Sequence, residues 1–177
     1  MRLLVTIVTF VTLLSFNAIG QSLRNEMPSE DILAAMGKLK LLTGKWEGKA
    51  TIRQGPTASE VRQTEVVEFR MNKSALLIEG NGFDQEGNLV YEAMGLLVYN
   101  PFTQKYSIRA VRGNGLYIDA EVVVSDNQLQ WTIHIPNGGK SRQTVKFSEN
   151  TWDEVGEYSQ DGENWFEYLS MSLKKVE

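Results

Sequence analysis

From residue 45 to the C-terminus, the sequence alternates apolar and polar residues in short runs that are separated by turn-forming residues. A period of two is typical of β-strands, because successive side chains point to opposite faces of a sheet. The turn signals are NK, DQEGN, NPFTQ, GNG, SDN, PNGG, EN and SQDGEN. The predicted strands span residues 45–53, 61–71, 74–83, 88–99, 104–112, 116–124, 128–136, 140–148, 151–159 and 164–175. Ten strands joined mostly by short hairpins predict an all-β, antiparallel, up-and-down barrel, since closure removes the exposed edges of a sheet.

The hairpin turns also predict which side chains face the barrel interior. Opposed residues in a hairpin have a constant index sum, so one inward residue fixes the face of its neighbour. Starting from an inward Trp152, this pairing places mostly apolar and aromatic residues inside the barrel. The polar residues predicted inside include Glu65, Tyr91, Arg109, Gln143, Glu154, Tyr158 and Glu167. The opposite, outer face contains charged residues, Arg112 among them.

A helix is predicted immediately before the strands. Pro28 and Ser29 lead into the segment EDILAAMGKLKLL, in which Ser29 is a suitable N-cap and the apolar residues recur at helical spacing. Gly44 suits the C′ position, where a left-handed residue ends a helix. The predicted domain is therefore one helix followed by the barrel, over residues 29–177.

The first twenty residues have the pattern of a secretory signal peptide. Arg2 provides a positive charge, residues 3–16 form an apolar run, and the small residues of AIG at 18–20 precede a cleavage site. Cleavage after Gly20 leaves residues 21–28 as a flexible tail. It also predicts a secreted or periplasmic protein, with no integral membrane span in the mature chain.

The composition excludes several kinds of site. The sequence contains no cysteine, which rules out disulfides, thiolate metal ligands and cysteine nucleophiles. It contains one histidine, so a zinc site built from the usual histidine and cysteine ligands is not expected. The net charge is −4 and no basic run is present, which argues against nucleic acid as a partner.

The motif GKWEG at residues 44–48 and two longer stretches carry a resemblance to a known group of barrels. The motif is similar to the GxWxG start of nitrobindin-like domains, and residues 76–101 and 152–176 resemble an uncharacterised bacterial lipocalin-like family. Together with the helix and the strand number, they resemble the calycin group of β-barrels over nearly the whole mature chain. The resemblance implies that Trp46 closes the barrel floor against the preceding helix, with Gly44 and Gly48 allowing close approach.

The resemblance to nitrobindin-like domains also implies a haem site with an axial histidine near the C-terminal strand. Here that strand reads NWFEYLSMSLKKV and contains no histidine, and Ser170 or Tyr168 occupies the corresponding position. Tyr168 or Met171 could act as an axial ligand instead. We expect no cofactor and no metal, and haem binding is kept as an alternative.

The polar residues predicted inside the barrel indicate a ligand site. A buried charge is costly unless it is paired, so Arg109 either pairs with an internal glutamate or binds a carboxylate-bearing ligand. Gly80, Gly95 and Gly156 remove side-chain volume from the same face, which favours a cavity. Arg109 and Tyr91 would orient a polar head group. The other candidate ligand-binding residues are Trp131, Phe69, Leu97, Ile118, Glu154, Glu167 and Tyr158, with Glu154 and Glu167 near a water-filled mouth.

These observations predict an exported lipocalin-like barrel that binds a small, hydrophobic or amphipathic molecule in its interior and needs no chemistry to do so. Three alternatives remain open. The first is an enzyme in the same cavity, with Glu154 or Glu167 as a base whose pKa is raised by burial. The second is nitrobindin-like haem binding, and the third is a filled barrel that acts as an interaction module. The sequence identifies neither the ligand nor the oligomeric state.

Overall fold

A computed structural model describes residues 27–136 and 138–177. The strands are β1 (Gly44–Gln54), β2 (Thr57–Arg70), β3 (Ala75–Phe83), β4 (Leu89–Asn100), β5 (Lys105–Arg112), β6 (Tyr117–Ser125), β7 (Gln128–His134), β8 (Lys140–Phe147), β9 (Thr151–Ser159) and β10 (Phe166–Lys175). The helix α1 (Glu30–Gly37) precedes them, and short 3₁₀ turns lie at Lys40–Leu42 and Met71–Lys73. The predicted signal peptide at 1–20 and most of the predicted tail at 21–28 lie outside the described residues.

The ten strands form one closed barrel. Each strand pairs antiparallel with its neighbours in the chain, and β1 pairs with β10 from Trp46↔Lys175 to Ile52↔Leu169, which closes the ring. The predicted all-β, ten-stranded, up-and-down barrel with an N-terminal helix is confirmed. Within residues 27–136 and 138–177, no helix is both long and apolar enough to cross a membrane.

Helix α1 and the start of β1 close one end of the barrel, called the floor below. The Ser29 side chain accepts a hydrogen bond from the Ile32 backbone N–H (3.4 Å) and so caps the helix. The residues of this segment that are buried against the barrel are Ala35, Met36, Leu39 and Leu42. Trp46 is 1% exposed and donates its indole N–H to the Leu42 carbonyl at 2.8 Å. The floor is therefore one packed layer that joins the helix, the 3₁₀ turn and β1.

The predicted helix is longer than the observed one. The α-helix ends at Gly37, and the 3₁₀ turn at Lys40–Leu42 contains the remaining apolar residues of the segment. Gly44 is therefore not the C′ residue of α1 but the first residue of β1, with a φ of +131°. A Cβ at Gly44 would lie 2.4 Å from the Glu177 carbonyl oxygen, so the glycine lets the C-terminal segment pass close to β1.

The sequence predicts the wrong inward face for β5, because the predicted pairing is shifted by one residue. In the GNG turn, the Arg112 N–H donates to the Leu116 carbonyl at 2.9 Å, so the loop contains three residues. This reverses the face of β5, because a shift of one residue exchanges the two faces of a strand. Arg112 points into the barrel opposite Ala93, whereas Arg109 lies on the outside.

The predicted inward orientation of Glu167 is also wrong. A β-bulge between Glu167 and Leu169 shifts the pairing of β10 with β9. Glu167 pairs with Glu157 on the outer face, while the Tyr168 hydroxyl lies 2.8 Å from the Ser141 hydroxyl inside the barrel. A bulge adds a residue that simple counting along a hairpin does not include.

Candidate functional site

The end of the barrel opposite the floor contains a cavity of about 920 Å³, called the mouth cavity below. It lies where β5, β7 and β9 end and where β6, β8 and β10 begin. Its aliphatic and aromatic lining consists of Leu116, Tyr117, Ile118, Ile133, Ile135, Pro136, Tyr158, Phe166 and Tyr168. Its charged and polar side chains are Arg53, Arg112, His134, Ser141 and Glu167. A concave, mostly apolar cavity of this volume is typical of small-molecule binding sites.

Arg112 is the cation that faces the interior of the barrel. Its guanidinium carbon lies 5.6 Å from the centroid of the Tyr91 ring, and it forms no salt bridge within the described part of the chain. Arg53, at the rim, lies 3.6 Å from the carboxylate of Glu167. Among the described residues, Arg112 therefore has no carboxylate at salt-bridge distance, whereas Arg53 is paired with Glu167.

A group of three hydrogen-bonded side chains lies beneath the mouth cavity: Ser141, Gln143 and Tyr168. The Tyr168 hydroxyl bonds to Ser141 and accepts from the Gln143 amide. Gln143 is 6% exposed, and its Oε1 atom has no hydrogen-bond partner among residues 27–136 and 138–177. Gly156 makes room for this group, because a Cβ there would lie 2.8 Å from Gln143 Oε1.

A second, smaller cavity of about 110 Å³ lies between the mouth cavity and the floor and is called the inner chamber below. Its lining includes Glu65, Ile78, Gly80, Tyr91, Ala93, Gly95, Ile108, Ala110, Leu129, Trp131, Val145, Trp152 and Glu154. Two carboxyl groups and three aromatic rings therefore meet in an otherwise apolar space. Gly80 lies opposite Glu65, and a Cβ at Gly80 would lie 2.6 Å from Glu65 Oε1, so the glycine provides space for the carboxyl group.

Burial changes the titration of both carboxyl groups. Glu65 is 7% exposed, and loss of hydration raises its pKa to about 8, although the hydrogen bond from the Gln63 amide (2.8 Å) favours the ionised form. Burial also raises the pKa of Glu154 to about 7, against the opposing effects of the Trp152 N–H (3.4 Å) and the Arg112 charge. Near neutral pH, the two groups therefore retain protons that ordinary glutamates lose.

Six of the nine predicted ligand-binding residues line one of the two cavities, and five of these six point into the barrel. Ile118 and Tyr158 line the mouth cavity. Tyr91, Trp131 and Glu154 line the inner chamber. The sequence-based site is therefore divided between two spaces that lie one above the other.

Four of the predicted ligand-binding residues are elsewhere or face outward. Phe69 and Leu97 pack in the hydrophobic core and line neither cavity. Arg109 has a side chain that is 70% exposed and pairs with Asp119 at 3.1 Å on the outer face. Glu167 lies at the rim of the mouth cavity, where its carboxylate faces Arg53. The prediction that Arg109 and Glu167 lie inside the barrel is therefore corrected.

Sequence reasoning did not select Arg112, Ser141 or Glu65 as site residues. Glu65 could have been selected from the sequence, because the predicted pairing places it opposite Gly80 on the inner face. An inward glutamate opposite an inward glycine indicates a carboxyl group with space around it. Arg112 carries no such signal, because its face depends on the lengths of the two turns that flank β5. Ser141 is identified only by its contact with Tyr168 across the bulge.

The three residues considered as haem ligands lie in different surroundings. Ser170 pairs with Thr51 and Val155 on the outer face. Met171 is 7% exposed and lines neither cavity, and the hydroxyl of Tyr168 is bonded to Ser141. Residues 27–136 and 138–177 contain no group of three or more His, Cys, Asp or Glu side chains placed to hold a metal ion.

These features define a closed antiparallel barrel with an apolar mouth cavity above a small chamber that holds two carboxyl groups. No protein-family model and no curated protein matches this sequence. The barrel is similar to the crystal structure of Rv2717c from M. tuberculosis, with a TM-score of 0.62 and 13% sequence identity over 81% of this chain and 98% of that chain. At this identity the likeness concerns the fold alone.

A protein of unknown function from the DUF3598 family, from Nostoc punctiforme, also matches. It is 8% identical over 85% of this chain and 100% of that chain. Its TM-score is 0.26, so this likeness carries no argument about the present barrel.

Proposed function

We propose that this protein is an exported, lipocalin-like binding protein of the calycin type that holds a small, mostly apolar molecule in the mouth cavity. The observation that carries the proposal is the cavity itself, with a volume of about 920 Å³ and a lining of mainly aliphatic and aromatic side chains. Covering such surface with a ligand contributes about 25 cal/mol for each Å² of apolar area removed from water. Export is proposed from the signal-peptide pattern of residues 1–20.

The polar groups of the mouth cavity would orient the ligand. Arg112 takes the role that the sequence suggested for Arg109, because it is the arginine that faces the interior. The hydroxyls of Ser141 and Tyr158 belong to the same lining. A hydrogen-bond acceptor at one end of the ligand would contact Arg112, and the apolar remainder would contact side chains such as Ile133.

The same geometry weakens the enzyme and interaction-module alternatives. Glu167 lies on the outer face with Arg53 as its partner, so it is not a buried base. Glu154 lies in the inner chamber, whose volume of about 110 Å³ holds only about three or four water-sized groups. A filled barrel does not agree with a mouth cavity of about 920 Å³. Ligand binding therefore accounts for more of the observed interior than either alternative.

Filling the mouth cavity should abolish binding. The change Ile133→Trp places an indole on the inner face of β7, and we expect at least ten-fold weaker binding of N-phenyl-1-naphthylamine, a neutral apolar probe, measured by its fluorescence. The matched control is Val123→Trp, because Val123 is 61% exposed on the outer face of β6. Unchanged probe binding by Ile133→Trp would contradict the proposal, as would a natural protein that does not bind the probe.

A further inference from the structure

The charges inside the barrel do not balance when both buried carboxyl groups are ionised. Within the described part of the chain, neither Glu65 nor Glu154 takes part in a salt bridge. The cation whose charge acts on Glu154 is Arg112, located over the ring of Tyr91. Two negative charges then face one positive charge. A bound cation would balance the second negative charge, and in its absence burial favours the protonated form of both carboxyl groups.

The walls of the inner chamber have the chemistry that attracts cations. Tyr91, Trp131 and Trp152 line it together with the two carboxyl groups. The face of an aromatic ring is negative, and it attracts an ammonium group most strongly where water is excluded. Aromatic rings and carboxylates in one cavity therefore favour a positively charged group over a neutral or negative one.

The unpartnered Oε1 atom of Gln143 is an independent indication of a donor. It lies beside Gly156, which is two residues from Glu154 on β9. A buried acceptor without a donor costs about 1–3 kcal/mol, so this atom favours a bound group with N–H bonds. Gln143 does not line the inner chamber, so this acceptor belongs to the neighbouring layer, whereas Glu65 and Glu154 present acceptors to the chamber itself.

We propose that the inner chamber binds the primary ammonium group of a small amine, with Glu65 and Glu154 accepting its hydrogen bonds. A primary ammonium has three N–H donors and one positive charge, which suit two carboxylate acceptors and the surrounding aromatic rings. The volume of about 110 Å³ accommodates about four heavy atoms. This site is distinct from the mouth cavity and does not depend on the proposed function. The ammonium group belongs either to a free small amine or to one end of the molecule in the mouth cavity.

The charge of the ligand is tested with three probes of similar size. Propylammonium, propan-1-ol and propionate are titrated into the natural protein, and binding is measured by tryptophan fluorescence and calorimetry, since Trp131 and Trp152 line the chamber. We expect saturable binding of propylammonium that is at least ten-fold tighter than that of either other probe. Equal binding of propan-1-ol, or no binding of propylammonium, would overturn the proposal.

The roles of the carboxyl groups are tested with variants of equal size. Glu65→Gln and Glu154→Gln each remove one ionisable carboxyl group, and we expect each to weaken propylammonium binding at least ten-fold. Glu79→Gln is the matched control, because Glu79 is exposed on the outer face of β3, and it should bind as the natural protein does. Unchanged affinity in both chamber variants would overturn the assignment.

The release of a proton on binding gives a further readout. The titratable groups that line the chamber are Glu65, Glu154 and Tyr91, with Arg112 and Tyr168 above them. Because an ammonium group favours ionised carboxylates, its binding near pH 7 should release a proton. Calorimetry in two buffers of different ionisation enthalpy measures this release. Binding without proton release would contradict the site.

The source of the ammonium group is distinguished with decylammonium, whose ten-carbon chain would reach from the chamber towards the mouth cavity. If Ile133→Trp weakens decylammonium binding but not propylammonium binding, the ammonium is the end of the mouth-cavity ligand. If propylammonium binds as tightly as decylammonium, the site serves a free small amine. Binding of the neutral apolar probe to the mouth cavity is measured separately, so failure of one proposal leaves the other intact.

Discussion

Replacing Glu65 with glutamine should raise the free energy of unfolding, relative to that of the natural protein, more at high pH than at low pH. The gain at pH 8.5 should exceed the gain at pH 5.5 by about 3 kcal/mol. The carboxyl group is 7% exposed, and burial raises its pKa from 4.5 to about 8. Between these two values the folded state keeps a proton that the unfolded state has lost. The natural protein therefore loses stability as the pH rises from about 4.5 towards 8, at up to ~1.4 kcal/mol per pH unit from this group.

The measurement is urea unfolding of the natural protein and the variant at pH 5.5, 7.0 and 8.5. Glu154, whose pKa is raised to about 7, should leave a smaller decline in the Glu65→Gln variant. Glu79→Gln removes a carboxyl group from the exposed outer face and should follow the natural profile. Parallel stability curves for the natural protein and Glu65→Gln would show that Glu65 is not a buried acid.

Alanine at Gly48 is expected to destabilise the barrel by about 3 kcal/mol, the upper end of the usual cost of overpacking. Gly48 lies on β1 opposite Leu173 of β10, in the pairing that closes the barrel. A Cβ at this position would lie 2.1 Å from the Ser172 carbonyl oxygen and 2.9 Å from the Leu173 Cα. Both atoms belong to the backbone, so the clash is relieved only by moving the two strands apart.

The control for Gly48→Ala is the same substitution at Gly37, the last residue of α1. A Cβ at Gly37 would meet nothing within 4 Å, so alanine there should stabilise the helix by about 0.5–1 kcal/mol. Thermal and urea unfolding of both variants measure the difference. Equal stabilities of Gly48→Ala and the natural protein would mean that β1 and β10 are less closely packed than described.

The fold was predictable because its signals are local and repeated. Alternation with a period of two marks each strand, and each turn signal marks a hairpin, so an error at one turn does not change the number of strands. Ser29 caps the helix as expected, and Trp46 lies at the junction that its sequence motif implies. These features do not depend on long-range register.

The site was less predictable because it depends on the face of individual residues. The lengths of the two turns that flank β5 decide whether Arg109 or Arg112 points inward. One β-bulge decides whether the side chain of Glu167 or that of Tyr168 points inward. The division of the interior into two cavities also depends on side-chain packing, which alternation along a strand does not encode. Glu154 was identified because β9 follows the regular pattern throughout.

Native mass spectrometry of the protein purified from its own source tests the central claim most directly. If the barrel carries a small, mostly apolar molecule in the mouth cavity, the native spectrum will show a discrete additional mass that is lost on denaturation. The same molecule will be absent from the Ile133→Trp variant produced in the same source, and present in Val123→Trp. A natural protein with the bare polypeptide mass, or an identical bound mass in Ile133→Trp, would contradict ligand binding in the mouth cavity.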